Sequence, residues 1–366
     1  MLFRSATPAA WFGILGIIVW TIVVKRIGSR ITGALTLVLG GIAYAMYGVV
    51  NTVTGFMIVT AFVNFMAYGF CNTAAQVMIA HWFPTRKGLA LGWATMGSNF
   101  SGALFVPLLL LFVGMRGINF SFFGIGVLMV IVAVIYFVLV RDMPEELGCA
   151  PDNGNVTPEE LEAAKKEAAE YKSPWTVGKL LKQKNVWFVS IGFGAYIMIT
   201  VALVSQLIPR LVAGGWDPNK ATSMMTIAAL LGVAGSYATG WLDEKIGTKK
   251  TSVIYGIWYL VAVIFCAVPA TDLTMYLSVF FLGIGLGGIG NLVPSLIGSL
   301  FNRHDFALGL GVINFINLVM RSFTFSILAF GLNNLGGYSG AYAIFAVINV
   351  IGIIFIALVK EEELKP

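Results

Sequence analysis

The most constraining feature of this chain is a series of long apolar stretches that hold almost no charge. Among its 366 residues, 58% are hydrophobic and only 11% are charged, whereas a soluble domain is about 25% charged. A helix needs about 20 apolar residues to cross a bilayer, and runs of this length are too long and too evenly apolar for barrel strands. The sequence therefore predicts an all-α membrane protein with eleven crossings, at 8–24, 31–50, 53–80, 87–113, 117–140, 186–212, 222–243, 251–270, 273–300, 305–331 and 336–359.

The basic residues predict the orientation of these helices. One set of alternating loops carries Lys25, Arg26, Arg30, Arg86, Lys87, Lys245, Lys249, Lys250 and Arg303, whereas the opposite set has little beyond Arg116, Arg210 and Lys220. Basic loops stay on the cytoplasmic side. We therefore expect a multi-pass protein of the cell membrane, with the central loop and the C-terminus in the cytoplasm. The net charge of +6 then reflects orientation rather than affinity for nucleic acid.

Two loops recur at nearly the same distance along the chain. Lys25–Arg30 resembles Glu244–Lys249 at an offset of 219, and Arg86–Gly92 resembles Arg303–Gly309 at an offset of 217. This repeat predicts two half-bundles of like topology, at residues 1–141 and 186–366. Between them, residues 142–185 form a cytoplasmic linker with a short polar helix that begins after Thr157.

The repeat also predicts that one helix is missing. The helix at 186–212 precedes the second basic loop, but its first-half counterpart would lie upstream of Met1. We expect a twelve-helix protein that lacks its first helix, so that helices 2–6 form the first half and helices 7–12 the second. A truncated sequence or a misplaced start codon explains this better than a native eleven-helix protein.

The run from Gly240 to Lys250 resembles the cytoplasmic loop signature of the major facilitator superfamily: a Gly, three residues, an acid, a base, one residue, a Gly and basic residues. Glu244 stands at the acidic position. The first-half copy departs from the pattern, because Lys25 takes the acidic position and Thr21 that of the leading Gly. The resemblance implies a gate that is latched by charged residues of these loops, for which we select Gly240, Asp243, Glu244, Lys245, Gly247, Lys249, Arg26, Gly28, Arg30, Arg86 and Arg303.

Within that superfamily, two runs resemble the oxalate/formate antiporter and monocarboxylate-type branch. They are His81–Gly92 and Met143–Asp152. In the oxalate carrier, two basic residues on the eighth and eleventh helices hold the anion. Arg321 lies on the matching eleventh helix, but 222–243, the matching eighth, contains no Arg or Lys. The resemblance therefore implies a substrate with a single carboxylate.

Arg321 also points to an anion on physical grounds. It lies near the middle of the apolar run 307–332, and no Asp or Glu falls between the ends of any apolar stretch. A guanidinium stays protonated, and burying it alone costs at least ~2.5 kcal/mol. With Arg321 we select polar side chains on helices that, by the resemblance, line the transport path: Asn72, Gln76, Tyr196, Asn291, Asn314 and Asn317. The alternatives are that Arg321 binds backbone carbonyls or snorkels, and that the amides only join helices.

We therefore predict a secondary transporter that moves a small organic anion, preferably a monocarboxylate, by alternating access. The scarcity of intramembrane carboxylates favours antiport, or symport in which a proton accompanies the anion. We expect a monomer in the bilayer, with no cofactor or metal, since Cys71, Cys149 and Cys266 match no ligand spacing. The alternatives are a proton-coupled drug or neutral-solute exporter with a structural Arg321, and a non-transporting receptor or scaffold. An intramembrane enzyme is disfavoured, because no catalytic constellation lies at membrane depth.

Overall fold

The computed structural model describes residues 2–154, 157, 159, 162–163, 166, 170–362 and 364. Within these ranges the chain forms nine long helices and no strand. They are α1 (Leu2–Met46), α2 (Val53–Trp82), α3 (Lys87–Leu139), α4 (Lys184–Ala213), α5 (Pro218–Ile246), α6 (Thr248–Ala267), α7 (Asp272–Leu300), α8 (Phe306–Asn334) and α9 (Tyr338–Leu358). Each is long and apolar enough to cross a membrane. Most of the polar helix predicted after Thr157 lies outside the described residues.

Two of these helices contain a break where the sequence predicts two separate segments. Gly28 interrupts α1 with φ 81° and ψ 168°, and Gly117 interrupts α3 with φ 81° and ψ 171°. A positive φ is accessible to Gly at little steric cost. Around the first break, Gly13 packs against the ring of Tyr68, while Thr36 packs against Gly69. Both arms of α1 therefore contact the same turn of α2.

Three further helices are irregular near the residues selected from the sequence. In α2, a π-helical turn spans Tyr68–Ala74 and includes Asn72. The α-helix of α7 is interrupted between Leu286 and Ile289, shortly before Asn291. That of α8 is interrupted at Phe323, two residues after Arg321. Such irregular turns free backbone groups from the regular ladder and are frequent at functional sites.

The helices pack as an N-terminal group, α1–α3, and a C-terminal group, α4–α9. In the N-terminal group α1 packs along both α2 and α3, and in the C-terminal group α4 packs along α8 and α9. The largest fully buried side chains lie mainly in the C-terminal group and include Tyr196, Tyr259 and Tyr342. Large apolar side chains cover much of the outer surface, such as Leu110, Ile131 and Leu139. An apolar exterior of this kind suits a lipid environment.

Contacts between the two groups concentrate at the end of the molecule that carries the basic loops, which we call the basic-loop end. There the first turns of α3 pack on the last turns of α5: Gly88 contacts Asp243, and Gly92 contacts Gly240. Asn99 donates to the Ser236 hydroxyl at 3.0 Å. Farther along α3, a Cβ built on Gly102 or Gly114 would meet no atom within 4 Å outside its own stretch of helix. The groups are thus closed together at the basic-loop end.

Candidate functional site

Arg321 lies in the last turn of the first segment of α8, and its side chain is exposed. Among the described residues, no hydrogen bond, ion pair or ring contact involves its guanidinium. Asn314 lies two turns earlier in the same helix and is half-buried. The structure therefore leaves all five N–H donors of this arginine available.

Asn317 lies one turn from Arg321 and is only 2% exposed. Neither its Nδ2 nor its Oδ1 has a hydrogen-bond partner among the described residues. The hydroxyl of Thr324, which is fully buried farther along α8, is also unbonded. Buried polar groups are normally hydrogen-bonded, and leaving one unpaired costs about 1–3 kcal/mol. Asn317 therefore offers both a donor and an acceptor beside a free cation.

The other predicted amides lie on α2 and α7. Asn72 is half-buried in the π-helical turn, and the Oε1 of Gln76 is buried and unbonded. Asn291 is fully buried; its Nδ2 donates to the Ser236 carbonyl at 2.8 Å, while its Oδ1 has no partner. Because Asn99 of the N-terminal group bonds the same serine, Asn291 lies next to the contact between the groups.

Tyr196 lies in the core of the C-terminal group rather than among these amides. It is fully buried, and its hydroxyl donates to the Ser252 carbonyl at 3.3 Å. Its ring meets that of Tyr255 at 5.6 Å and packs against Gly256. This environment joins α4 to α6.

In the second-half loop, the acid at the contact between the groups is Asp243, whereas the motif's acidic position is held by Glu244. Asp243 is only 4% exposed, whereas Glu244 is exposed. The carboxylate of Asp243 lies against Gly88, the second residue of α3, and its Oδ2 is buried and unbonded. The first N–H groups of a helix lack intrahelical partners and attract negative charge. Asp243 therefore joins the C-terminal group to the start of α3.

The other predicted loop residues divide between contact and solvent. Gly240 is buried against Gly88 and Gly92. Gly247 has φ 89°, as Gly28 has φ 81° at the matching position of the repeat. Lys245 lies 4.0 Å from the centre of the Trp241 ring. Arg26 and Arg86 are exposed, and Lys249 is half-buried.

The first-half loop obtains its carboxylate from outside the loop. Asp142, just after α3, accepts from the Ser29 hydroxyl at 2.7 Å and from the Arg30 amide at 2.8 Å. Gly28 packs against the same carboxylate, and the guanidinium of Arg30 donates to the Phe137 carbonyl. Asp142 thus supplies the acid that the motif lacks at Lys25. Sequence reasoning missed it because it lies far from the loop in the chain.

Two further links lie at the basic-loop end: one joins the C-terminal group to the linker just after α3, and the other joins the two groups. Arg303 Nη1 lies 2.6 Å from Glu145 Oε1, with 18% and 6% of the two side chains exposed. The ammonium of Lys87 donates to the Ser299 hydroxyl at 2.9 Å, and that hydroxyl donates to Glu361 at 3.2 Å. Arg303 was selected from the sequence, whereas Glu145, Lys87 and Ser299 were not. Lys87 and Glu145 do lie in the two runs that carry the family resemblance.

No group of three or more His, Cys, Asp or Glu side chains within the described ranges could hold a metal ion. On α8 the described residues place the unbonded guanidinium of Arg321 near the amides of Asn314 and Asn317, and the charged contacts lie at the basic-loop end.

Comparison with known proteins decides the family. The model of the Major Facilitator Superfamily matches residues 5–242 and 211–366. The chain belongs to the major facilitator superfamily. This result confirms the resemblance found in the loop signature, and the all-helical fold agrees with it.

Several curated members of the superfamily are similar to this chain. The oxalate:formate antiporter of Oxalobacter formigenes is 24% identical over 64% of this chain and 52% of its own length. The hexuronate transporter of Bacillus subtilis is 27% identical over 61% of this chain and 51% of its own length. Monocarboxylate transporter 13 of Rattus norvegicus is 22% identical over 86% of this chain and 71% of its own length. The chain thus spans about half the length of the first two.

Solved structures of the superfamily share the fold. The Escherichia coli fucose:proton symporter aligns with a TM-score of 0.72 and 16% identity, over 98% of this chain and 91% of its own. The human organic anion transporter MFSD10 aligns with a TM-score of 0.74 and 9% identity, over 95% and 82%. These similarities concern the fold alone.

Proposed function

We propose that this protein is a secondary transporter that moves a small organic anion, with a single carboxylate, across the cytoplasmic membrane. The observation that carries the proposal is the free guanidinium of Arg321 beside the unbonded amide of Asn317. A guanidinium binds a carboxylate through two parallel hydrogen bonds. The amides of Asn314 and Asn317 orient the rest of the substrate, and Asn72, Gln76 and Asn291 line the path.

The helical periodicity of α8 supports a substrate-facing position for Arg321. At 100° per residue, Asn314 and Arg321 are separated by about 20° around the axis. Phe315 and Val319 are also exposed but lie roughly 120–160° away from Arg321 around the helix. Two exposed faces, one polar and one apolar, suit a helix between a wet path and lipid.

The names of the relatives point to the same chemical group. Oxalate, formate, hexuronates and monocarboxylates all carry a carboxylate, and these compounds name three similar proteins. The only basic residues of α5 are Lys220, in its first turn, and Lys245, in its last turn, so its middle carries no positive charge. One cation at mid-helix favours a monocarboxylate over a dicarboxylate.

We further infer that the nine helices make eleven crossings. A continuous helix from Gly13 to Thr36 would separate these residues by about 35 Å, yet they contact the adjacent residues Tyr68 and Gly69. Likewise α3 would be about 80 Å long if straight, yet Trp82, before it, donates to the carbonyl of Arg141, after it, at 2.9 Å. Reversals at Gly28 and Gly117 account for both pairs.

The closed basic-loop end fits alternating access. Asp243 and Lys87 make contacts between the groups there, and Asn99 bonds Ser236 across the same boundary. If the basic loops are cytoplasmic, the protein is closed on its cytoplasmic side. A monomer in the bilayer, exchanging anions or carrying a proton with the anion, completes the proposal.

Counterflow in proteoliposomes tests this function. We expect labelled acetate, lactate, pyruvate or formate to exchange against the same unlabelled anion, whereas lactamide, the neutral analogue of lactate, does not. Oxalate tests the preference for one carboxylate and should exchange more slowly. The proposal is contradicted if lactamide exchanges as fast as lactate. It is also contradicted if none of the tested carboxylates exchanges.

A further inference from the structure

A cavity lies between the two helix groups at the basic-loop end, and Arg321 is not among its lining residues. Its volume is about 310 Å³, and its walls come from α2 and the start of α3 on one side, and from α7 and the α7–α8 loop on the other. We call it the gate cavity. Small-molecule pockets typically measure about 300–1,000 Å³, so the gate cavity is large enough for a small ligand.

The polar lining of the gate cavity is cationic. Lys87 and Arg303 both line it, together with the neutral side chains of Gln76, Ser299 and Asn302. Among the hydrogen bonds of the described residues, the Lys87 ammonium uses one donor, to Ser299, and the Arg303 guanidinium uses one, to Glu145. An ammonium has three donors and a guanidinium five. Neither Glu145 nor any other carboxylate belongs to the lining.

The remaining walls of the gate cavity are apolar. They include Leu91 from α3, Pro294 from α7, and Phe301 and Phe306 from the loop and the start of α8. Two cationic groups next to a ring-lined wall suit a molecule with a carboxylate at one end and an apolar body at the other.

We propose that the gate cavity is a second, inhibitory site for a small organic carboxylate with an apolar body. A ligand in it contacts Lys87 of the N-terminal group and Arg303 of the C-terminal group at once. It therefore binds the closed form of the basic-loop end and not the open form. A ligand with such differential affinity shifts the population toward the closed form and slows the cycle.

The test uses the purified full-length chain and benzoate as the probe, with benzamide as its neutral control. A ligand that binds the folded state raises the unfolding temperature. We expect benzoate, but not benzamide, to stabilise both the wild type and Arg321→Gln, since the gate cavity does not include Arg321. Replacing the cation in Lys87→Met should weaken the apparent affinity for benzoate about tenfold.

A second variant tests the same cavity in case Lys87→Met fails to fold. Ala80 lines the same cavity, and Ala80→Leu fills it without touching a charge, so it should also remove the benzoate effect. Amide hydrogen exchange locates the bound benzoate. In the Arg321→Gln variant, benzoate should slow hydrogen exchange in the peptides that cover residues 84–91 and 294–306. Stabilisation that survives in both Lys87→Met and Ala80→Leu would overturn the proposal. So would stabilisation that Arg321→Gln abolishes, or no effect on the wild type.

Discussion

The carboxylate of Asp243 lies against the backbone of Gly88: a Cβ built on Gly88 would stand 2.5 Å from Asp243 Oδ2. Asp243 lies in the last turn of helix α5 in the C-terminal group, and Gly88 is the second residue of helix α3 in the N-terminal group. Only a glycine lets the carboxylate come this close to the start of the helix. The contact therefore depends on both residues, and it joins the two groups at the basic-loop end.

Asp243→Asn should loosen this contact, because it removes the charge that the start of α3 attracts. Such charge–helix interactions are worth up to ~2 kcal/mol when partly buried. We expect several-fold faster alkylation of a cysteine placed at Ala80, in a background without the native cysteines. Alkylation is measured with a membrane-impermeant maleimide added on the basic-loop side.

The control is Glu244→Gln, which removes the adjacent but exposed carboxylate. It should leave the alkylation rate within twofold of the parent. If Glu244→Gln opens the cavity and Asp243→Asn does not, the motif's acidic position acts as the latch and the structural assignment to Asp243 is wrong.

Gly240→Ala should also open the basic-loop end. A Cβ at Gly240 would lie 2.7 Å from the Gly88 carbonyl oxygen and 3.0 Å from the Gly92 Cα, so the two groups must move apart. The matched control is Gly102→Ala, since no atom lies within 4 Å of a Cβ there. Alanine in a helix is favoured over glycine by about 0.5–1 kcal/mol. We expect faster alkylation at Ala80→Cys for the first variant and no change for the second; equal rates would refute the close packing.

Arg210 should matter for stability rather than for substrate affinity. It is 3% exposed and donates to the Phe265 carbonyl at 2.8 Å, the Cys266 carbonyl at 3.2 Å and the Ser278 hydroxyl at 2.8 Å. Its fork therefore joins α4 to α6 and α7. Arg210→Lys keeps the charge but replaces the planar fork with a compact ammonium that cannot match the positions of all three acceptors, and hydrogen bonds to charged groups are worth about 1.5–3 kcal/mol.

We expect Arg210→Lys to lower the unfolding temperature in detergent by several degrees, with the KM for exchange unchanged in the surviving protein. Arg116→Lys, at an exposed position, is the control and should unfold like the wild type. A raised KM with an unchanged unfolding temperature would instead place Arg210 in the substrate path.

Much of the fold followed from the sequence because apolar length and basic loops are local signals. The repeat also placed Gly28 and Gly247 at matching positions, and both have a positive φ near 80–90°. The sequence predicted loops between these segments, but at Gly28 and Gly117 the break is a single residue with a positive φ, which apolar patterning does not reveal. The prediction of a missing first helix stays a prediction.

The site was less accessible to sequence reasoning. Arg321 stood out because a charge in an apolar run is rare, but periodicity could not separate Asn317, which is unbonded, from Tyr196, which is buried in the core. Nor could the motif distinguish Asp243 from Glu244, because adjacent helical residues point about 100° apart and only tertiary contacts decide which one is buried. Pairs such as Arg303 and Glu145 lie too far apart in the chain to be read from spacing.

The most direct test of the account is anion counterflow by Arg321→Gln, reconstituted beside the wild type and Arg116→Gln. Arg116 is also exposed but lies at a helix break next to Gly117, so its variant controls for the loss of one positive charge. We expect Arg321→Gln to insert and unfold like the wild type but to lose at least about 95% of carboxylate exchange, whereas Arg116→Gln retains it. Full exchange by Arg321→Gln would show that this guanidinium does not bind the transported anion.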